Sequence, residues 1–326
     1  MTPKVRYGLL GASQIARGQH IPAIRQASNA ELAGIASRDA AKAAAWAAEM
    51  NIPRAYDSYD AMLADPQIDA VLVTLPMSLH CQWIVAAARA GKHVLCEKPM
   101  VLSVAEMDAV SQAAAESGVI VLEGFTHVYP GHLAYVADLI ASGRIGEVRA
   151  VRAEVLYPTR DWAKDTRALK QYGACVLIEA GCYCVQTILH LMQADPTEVC
   201  GLGVSRQGCD FETTFAGVMK FPGERLGYMC TTMESSFRAV CDIIGARGRI
   251  DLPDLFGGTR VIIDETDGQR EELTFPQTNR FARQIEHFSA CVLEGSEPKI
   301  SLDESRRIIQ TLSALRDSAR CCRSRA

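Results

Sequence analysis

The chain has 326 residues, 48% hydrophobic and 22% charged, with a net charge of −4 at neutral pH. That length suits two domains, and the slight acidity gives no reason to expect nucleic acid or an anionic membrane as a partner. With neither a signal peptide nor a transmembrane-length apolar run visible, the expected location is cytoplasmic. The twelve cysteines lack the CxxC pairs of a zinc site or a redox motif, so no metal is expected. Most, including Cys175, Cys200, Cys230 and Cys241, lie in apolar runs and read as buried, reduced thiols. The Cys321-Cys322 pair lies in a basic tail read as frayed.

Val5 to Leu10 reads as an apolar strand, followed by Gly11-Ala-Ser-Gln-Ile-Ala16 and an apolar-periodic helix through Ile24. Strand, glycine turn and helix form the setting of a dinucleotide fingerprint. Ser13 replaces the second glycine; it is small enough for close approach to a pyrophosphate, and its hydroxyl can donate to one. The next strand, Glu31 to Ala36, ends at Ser37-Arg38. An acidic residue near this point would hold a ribose 2′-hydroxyl. A guanidinium instead suits a 2′-phosphate, so NADP(H) is expected over NAD(H), with Asp39 next door as a counter-indication.

Asp39 to Met50 is an alanine-rich helix, and Ser58 caps a short helix, Tyr59 to Ala64. Ala70 to Leu75 is a buried strand closed by Pro76, and His80 opens the helix that follows. His93 to Cys96 is a short buried strand that stops at Glu97-Lys98-Pro99, because Pro99 cannot donate to a sheet ladder. Ligands in open α/β sheets sit beyond the carboxyl ends of strands, which puts Glu97 and Lys98 where chemistry is expected. A helix from Ser103 to Ser117 and a strand from Val119 to Glu123 complete a doubly wound parallel sheet.

After Gly124 the rhythm changes, and the domain boundary is drawn between residues 124 and 125. A helix from His132 to Ser142 precedes an alternating, half-buried strand, Val148 to Tyr157. The irregular segment from Tyr157 to Tyr172 is long enough to be functional. A helix from about Ala174 to Met192 would place Glu179 and Tyr183 four residues apart on one face. Antiparallel strands from Glu198 to Asp264 and two closing helices, Asn279 to Leu293 and Leu302 to Arg320, complete a second α+β domain, 125–326, with a large, mainly antiparallel sheet. A broad sheet without a second cover suggests a homo-oligomer.

These residues resemble the glucose–fructose oxidoreductase / inositol dehydrogenase / rhizopine catabolism (Gfo/Idh/MocA) family over nearly the whole chain. The resemblance rests on Gly11-Ala-Ser-Gln-Ile-Ala16, Pro76-Met-Ser-Leu-His80, Ala90-Gly-Lys-His-Val-Leu-Cys-Glu-Lys-Pro99, Gly143-Arg-Ile-Gly146 and Glu179-Ala-Gly-Cys-Tyr183. It implies an N-terminal Rossmann domain, a nicotinamide cofactor, a sugar-like small-molecule substrate, and a homo-dimer or homo-tetramer built through the second sheet. Lys98 matches the family's active-site lysine, and Tyr183 a position where relatives carry His or Tyr as acid/base. Glu179 falls where relatives usually have Asp, and His127 where many have Arg. The catalytic candidates are thus Lys98, Tyr183 and Glu179. The cofactor candidates are Gly11, Ala12, Ser13, Gln14, Ile15, Ser37, Arg38, Leu75, Pro76, His80, Glu97, Lys98 and Arg167. From the residues alone, Tyr183 can also be read as a core tyrosine and Glu179 as a salt-bridge partner of Arg160 or Arg167, while the favoured reading of Glu97 is a prop for Lys98. Nucleotide-sugar ketoreductases and NADP-dependent aldose or dihydrodiol dehydrogenases are the branches resembled. A hydrolase or lyase acting by transient oxidation, or a non-catalytic sensor, are the alternatives.

Overall fold

The computed structural model describes residues 3–323. The chain divides into two compact units: the chain through Thr126 together with Asn279–Arg306, and His127–Thr278 together with the chain from Arg307 on.

Among the described residues, the first unit holds a six-stranded sheet in the order β3-β2-β1-β4-β5-β6, all neighbours parallel. The strands are β1 (Val5–Leu10), β2 (Ala30–Ala36), β3 (Ala55–Tyr56), β4 (Ala70–Val73), β5 (His93–Cys96) and β6 (Val121–Glu123). The order reverses direction at β1, as expected of a doubly wound sheet. The central strands are continuous apolar runs because helices cover both faces; β4 is buried at every position. Ser58, Ser103 and Asn279 cap the helices they precede, each accepting a backbone N–H from that helix's first turn. A cap of this kind contributes about 1 kcal/mol.

A single boundary between residues 124 and 125 would assign the helix Arg280–Glu294 to the second domain. Its apolar face instead lies in the core of the first unit, where Phe281, Ile285 and Phe288 join Val5, Tyr7 and Leu9. Tyr7 Oη and Ser289 Oγ, 2.8 Å apart, add a buried hydrogen bond to that packing.

In the second unit an eight-stranded sheet runs β14-β13-β12-β11-β7-β10-β9-β8. Its strands are β7 (Val148–Pro158), β8 (Glu198–Val204), β9 (Thr214–Phe221), β10 (Arg225–Thr232), β11 (Glu234–Gly245), β12 (Gly248–Leu252), β13 (Arg260–Glu265) and β14 (Arg270–Thr274). All neighbours are antiparallel except β7 and β10. Val151, Ala153, Val155 and Tyr157 point into the core as the alternation predicts.

Cys241 is buried, Cys175 and Cys230 are half-buried, and Cys200 is exposed, which corrects the expectation for that thiol: it points outward from β8, a strand at the edge of the sheet. The last helix, Leu302–Arg323, continues past the cysteine pair rather than fraying before it. No helix among the described residues is long and apolar enough to cross a membrane.

Candidate active site

A first group of candidate residues lies at the carboxyl ends of the parallel strands of the first unit. β1 stops at Gly11, whose φ of +106° belongs to the region glycine favours. A Cβ there would fall 2.8 Å from Leu75 Cδ2. Thr74 Oγ1 donates to Gly11 O at 3.1 Å and so ties the ends of β1 and β4 together. Residues 14–26 are helical, with a π-turn over Ala16–His20, and Ser13 Oγ accepts the Ala16 N–H at 3.2 Å. Ala12, Ser13, Gln14 and Ile15 all reach the surface. This turn and helix start can receive a pyrophosphate on backbone N–H groups.

At the end of β2, Ser37 is buried and its hydroxyl accepts the Asp39 N–H at 3.2 Å. The Asp39 carboxylate accepts the Lys42 N–H at 3.0 Å and caps the helix Ala40–Glu49. Asp39 is therefore engaged in the helix cap, while Arg38 is exposed. Lys42, a cation the sequence reading passed over, donates from Nζ to Ala12 O at 2.9 Å. Two cations, with the nearby acid capping a helix, fit a 2′-phosphate better than a free ribose hydroxyl.

Lys98 follows β5 and is half-buried. Glu97 Oε1 lies 2.6 Å from His20 Nε2, and Glu97 Oε2 accepts the Lys98 N–H at 3.2 Å. Burial would raise the Glu97 pKa, but the His20 hydrogen bond and the charges of His20 and Lys98 hold it below the usual carboxylate range. Glu97 thus props the Lys98 backbone. His20 has no sequence signal; its partner lies 77 positions away.

His80, expected to face the cofactor, has its ring nitrogens 2.8 Å from Pro99 O and 2.7 Å from Leu75 O. The ring is 1% exposed. It sits between the segments that leave β4 and β5, with each ring nitrogen facing a carbonyl oxygen that can only accept. Burial pushes its pKa down, against the two carbonyls, which favour the charged form.

A second group of candidate residues lies in the second unit. The helix expected over residues 174–192 is divided into Val176–Glu179 and Gly181–Met192, with Ala180 between them at φ −112°. Glu179 and Tyr183 therefore sit on separate helical segments, which corrects the single shared face. Gly181 sits tightly against β10, where a Cβ would lie 2.9 Å from Met229 Cε. The partly exposed Tyr183 packs edge-on against His127, with centroids 5.2 Å apart, and 4.6 Å from the Phe256 ring. His127 is fully buried, with Nε2 2.7 Å from Gln186 Oε1; as the amide oxygen only accepts, that ring nitrogen carries the proton.

Glu179 is buried, and its charge acts on the Tyr157 phenol and the Arg167 guanidinium. Burial, then Glu179, raises the Tyr157 pKa. Arg167, a cofactor candidate, makes a two-pronged pair with Asp165 (Nε to Oδ1 3.0 Å, Nη2 to Oδ2 2.6 Å). Its guanidinium lies 4.6 Å over the Tyr157 ring. Burial works against its charge, but Asp165 and Glu179 outweigh that and raise its pKa. Arg167 is thus paired with Asp165 and stacked on Tyr157, and Glu179 acts there as a counter-charge to Arg167.

Residues 5–125 match a family model described as an oxidoreductase family with an NAD-binding Rossmann fold, and residues 133–251 match the GFO/IDH/MocA C-terminal domain. The chain belongs to the GFO/IDH/MocA family of oxidoreductases. Among its relatives in this family is D-xylose 1-dehydrogenase (NADP(+)) 2 of Haloferax volcanii, 32% identical, with 96% of this chain and 97% of the relative covered. A dTDP-3,4-didehydro-2,6-dideoxy-alpha-D-glucose 3-reductase of Streptomyces antibioticus is 28% identical, with 90% of each chain covered. The crystal structure of KijD10, a 3-ketoreductase from Actinomadura kijaniata, in complex with NADP and TDP-benzene, superposes with a TM-score of 0.90 at 27% identity, covering 97% of this chain and 98% of the other. The GFO/IDH/MocA assignment makes this chain an enzyme, and both sheets take the arrangement the resemblance implies.

Proposed function

We propose that this oxidoreductase moves a hydride between NADP(H) and a carbinol or carbonyl carbon of a sugar or sugar-like substrate. The observation that carries the cofactor reading is the end of β2, where Arg38 is exposed, Lys42 reaches Ala12 O, and Asp39 is engaged in a helix cap. The names of relatives acting on xylose and on a dTDP-linked keto-sugar favour the substrate class. The nicotinamide, when bound, supplies or accepts the hydride.

The protein's part is to handle the proton at the substrate oxygen. Tyr183 is the acid/base. A free phenol, with a pKa of about 10, is a poor base at neutral pH, and a nearby ammonium favours the phenolate. Lys98 provides that ammonium and donates a hydrogen bond that polarises the substrate oxygen. Glu179, through Arg167 and Tyr157, orders the 159–173 segment over which substrate hydroxyls are selected.

Arg38→Ala should cost about 1–3 kcal/mol in NADP binding, roughly 5- to 150-fold in Kd, as expected for a lost charge-assisted pair, and leave NAD binding within about twofold. Dinucleotide titrations of both proteins check this. An equal loss for the two dinucleotides would take the 2′-phosphate away from Arg38.

A second copy of the chain is the proposed cover for the outer face of the second sheet. Leu202, Val204, Val218, Leu226 and Ile244 are exposed there, and strand alternation and register put them on one face. Light scattering should give a dimer or tetramer, with Leu226→Glu shifting it to the monomer. A monomeric wild-type chain at micromolar concentration would contradict the proposal.

A further inference from the structure

The peptide unit that joins Pro99 to Met100 is gripped at both of its polar groups. Pro99 O lies 2.8 Å from His80 Nδ1, and the Met100 N–H donates to Glu123 Oε1 at 2.9 Å. Both side chains are buried, 1% exposed for His80 and 5% for Glu123. With Glu97 Oε2 on the Lys98 N–H, the backbone around Lys98 is held by its neighbour Glu97 and by side chains from two other places in the sequence, His80 and Glu123. The end of β6 lies directly on this turn: a Cβ at Gly124 would fall 2.8 Å from Cys96 O and 3.2 Å from Glu97 Cα.

A carboxyl group so deeply buried is costly unless it is hydrogen-bonded, and nothing in the hydride-transfer reading uses Glu123. The groups acting on it are the Met100 amide, Ser305 from the last helix and the Lys98 ammonium, and it acts in turn on the Cys96 thiol, as does Glu97. We propose that Glu123 is a positioning residue for Lys98: it fixes residues 97–100 through the Met100 amide and supplies a buried negative charge that favours the Lys98 ammonium. The proposal rests on the reading of Lys98 as the group that polarises the substrate oxygen. Burial pushes the Glu123 pKa up to about 7, against Ser305, the Met100 amide and Lys98. Its charge is therefore present above neutral pH and lost below it.

Two variants separate the parts of this role. Glu123→Gln keeps an acceptor for the Met100 amide and removes the charge, whereas Glu123→Ala removes both. The first readout is the rate of Lys98 acylation against pH, measured by mass spectrometry on the whole protein, which needs no turnover. Glu123→Gln should move the Lys98 titration to lower pH and leave kcat within about fivefold at the optimum, because the turn keeps its hydrogen bond. Glu123→Ala should lose on the order of 100-fold in kcat, as expected for a displacement of about 1 Å, with the Kd for NADP unchanged within about twofold. If Glu123→Ala does not fold, the Gln variant and the Lys98 titration decide alone. An unmoved Lys98 titration together with unchanged kcat in the folded variants overturns the proposal. A Lys98→Ala variant with full turnover would instead overturn the catalytic reading of Lys98, while a shifted Lys98 titration in Glu123→Gln would still establish the coupling.

Discussion

Lys98→Ala should lower kcat by on the order of 1000-fold, comparable to removing a donor that stabilises developing negative charge, and leave the Kd for NADP within a few-fold. The asymmetry follows from where Lys98 sits. It lies beyond β5, while the proposed phosphate contacts lie at Gly11–Ile15 and Arg38, after β1 and β2. In the proposed mechanism, loss of the ammonium also removes the charge that favours the Tyr183 phenolate. In the oxidative direction, any residual activity should therefore need a higher pH, with the acid limb of the rate profile displaced upward. Stopped-flow measurement of reduced nicotinamide formation across pH, with binding followed by fluorescence, checks both. Full residual activity would remove Lys98 from the mechanism.

Tyr183→Phe should cost about 100- to 10,000-fold in kcat, the range of a positioned acid/base, and should do so with little change in stability. The phenyl ring is kept, and with it the contacts to His127 and Phe256. The acid limb of the oxidative profile should flatten, because the group whose deprotonation it reports is gone. An unchanged profile with a small fall in kcat would return Tyr183 to the role of a packing residue.

Much of the first unit was legible because its signals are local. β5 has the bounds read from the apolar run, His93–Cys96, and Ser58 caps the short helix that follows it. The segment from Gly11 to Ala16 announced itself by spacing, and the AGKHVLCEKP run announced the family. Long-range packing was not legible. The helix Arg280–Glu294 shows an amphipathic pattern, but no periodicity says which of two cores its apolar face enters. The break at Ala180 is equally silent, since the residues on both sides of it continue a helical stripe. His80 looked like a site histidine because it follows a strand end; its two carbonyl partners, five and nineteen positions away, give it a structural role instead. Glu123 and His20 carry no motif at all. Each acquires meaning only from a partner that the parallel sheet brings alongside, Met100 for one and Glu97 for the other.

The central claim is that Lys98 and Tyr183 act on the same substrate oxygen. A crystal structure of the enzyme with NADP and a turned-over sugar tests it most directly. The predicted result places Lys98 Nζ and Tyr183 Oη each within about 3.2 Å of the reacting oxygen, the reach of a proton-transfer hydrogen bond. A ternary complex in which either group stays well outside that reach, with the nicotinamide seated at the reacting carbon, would contradict it.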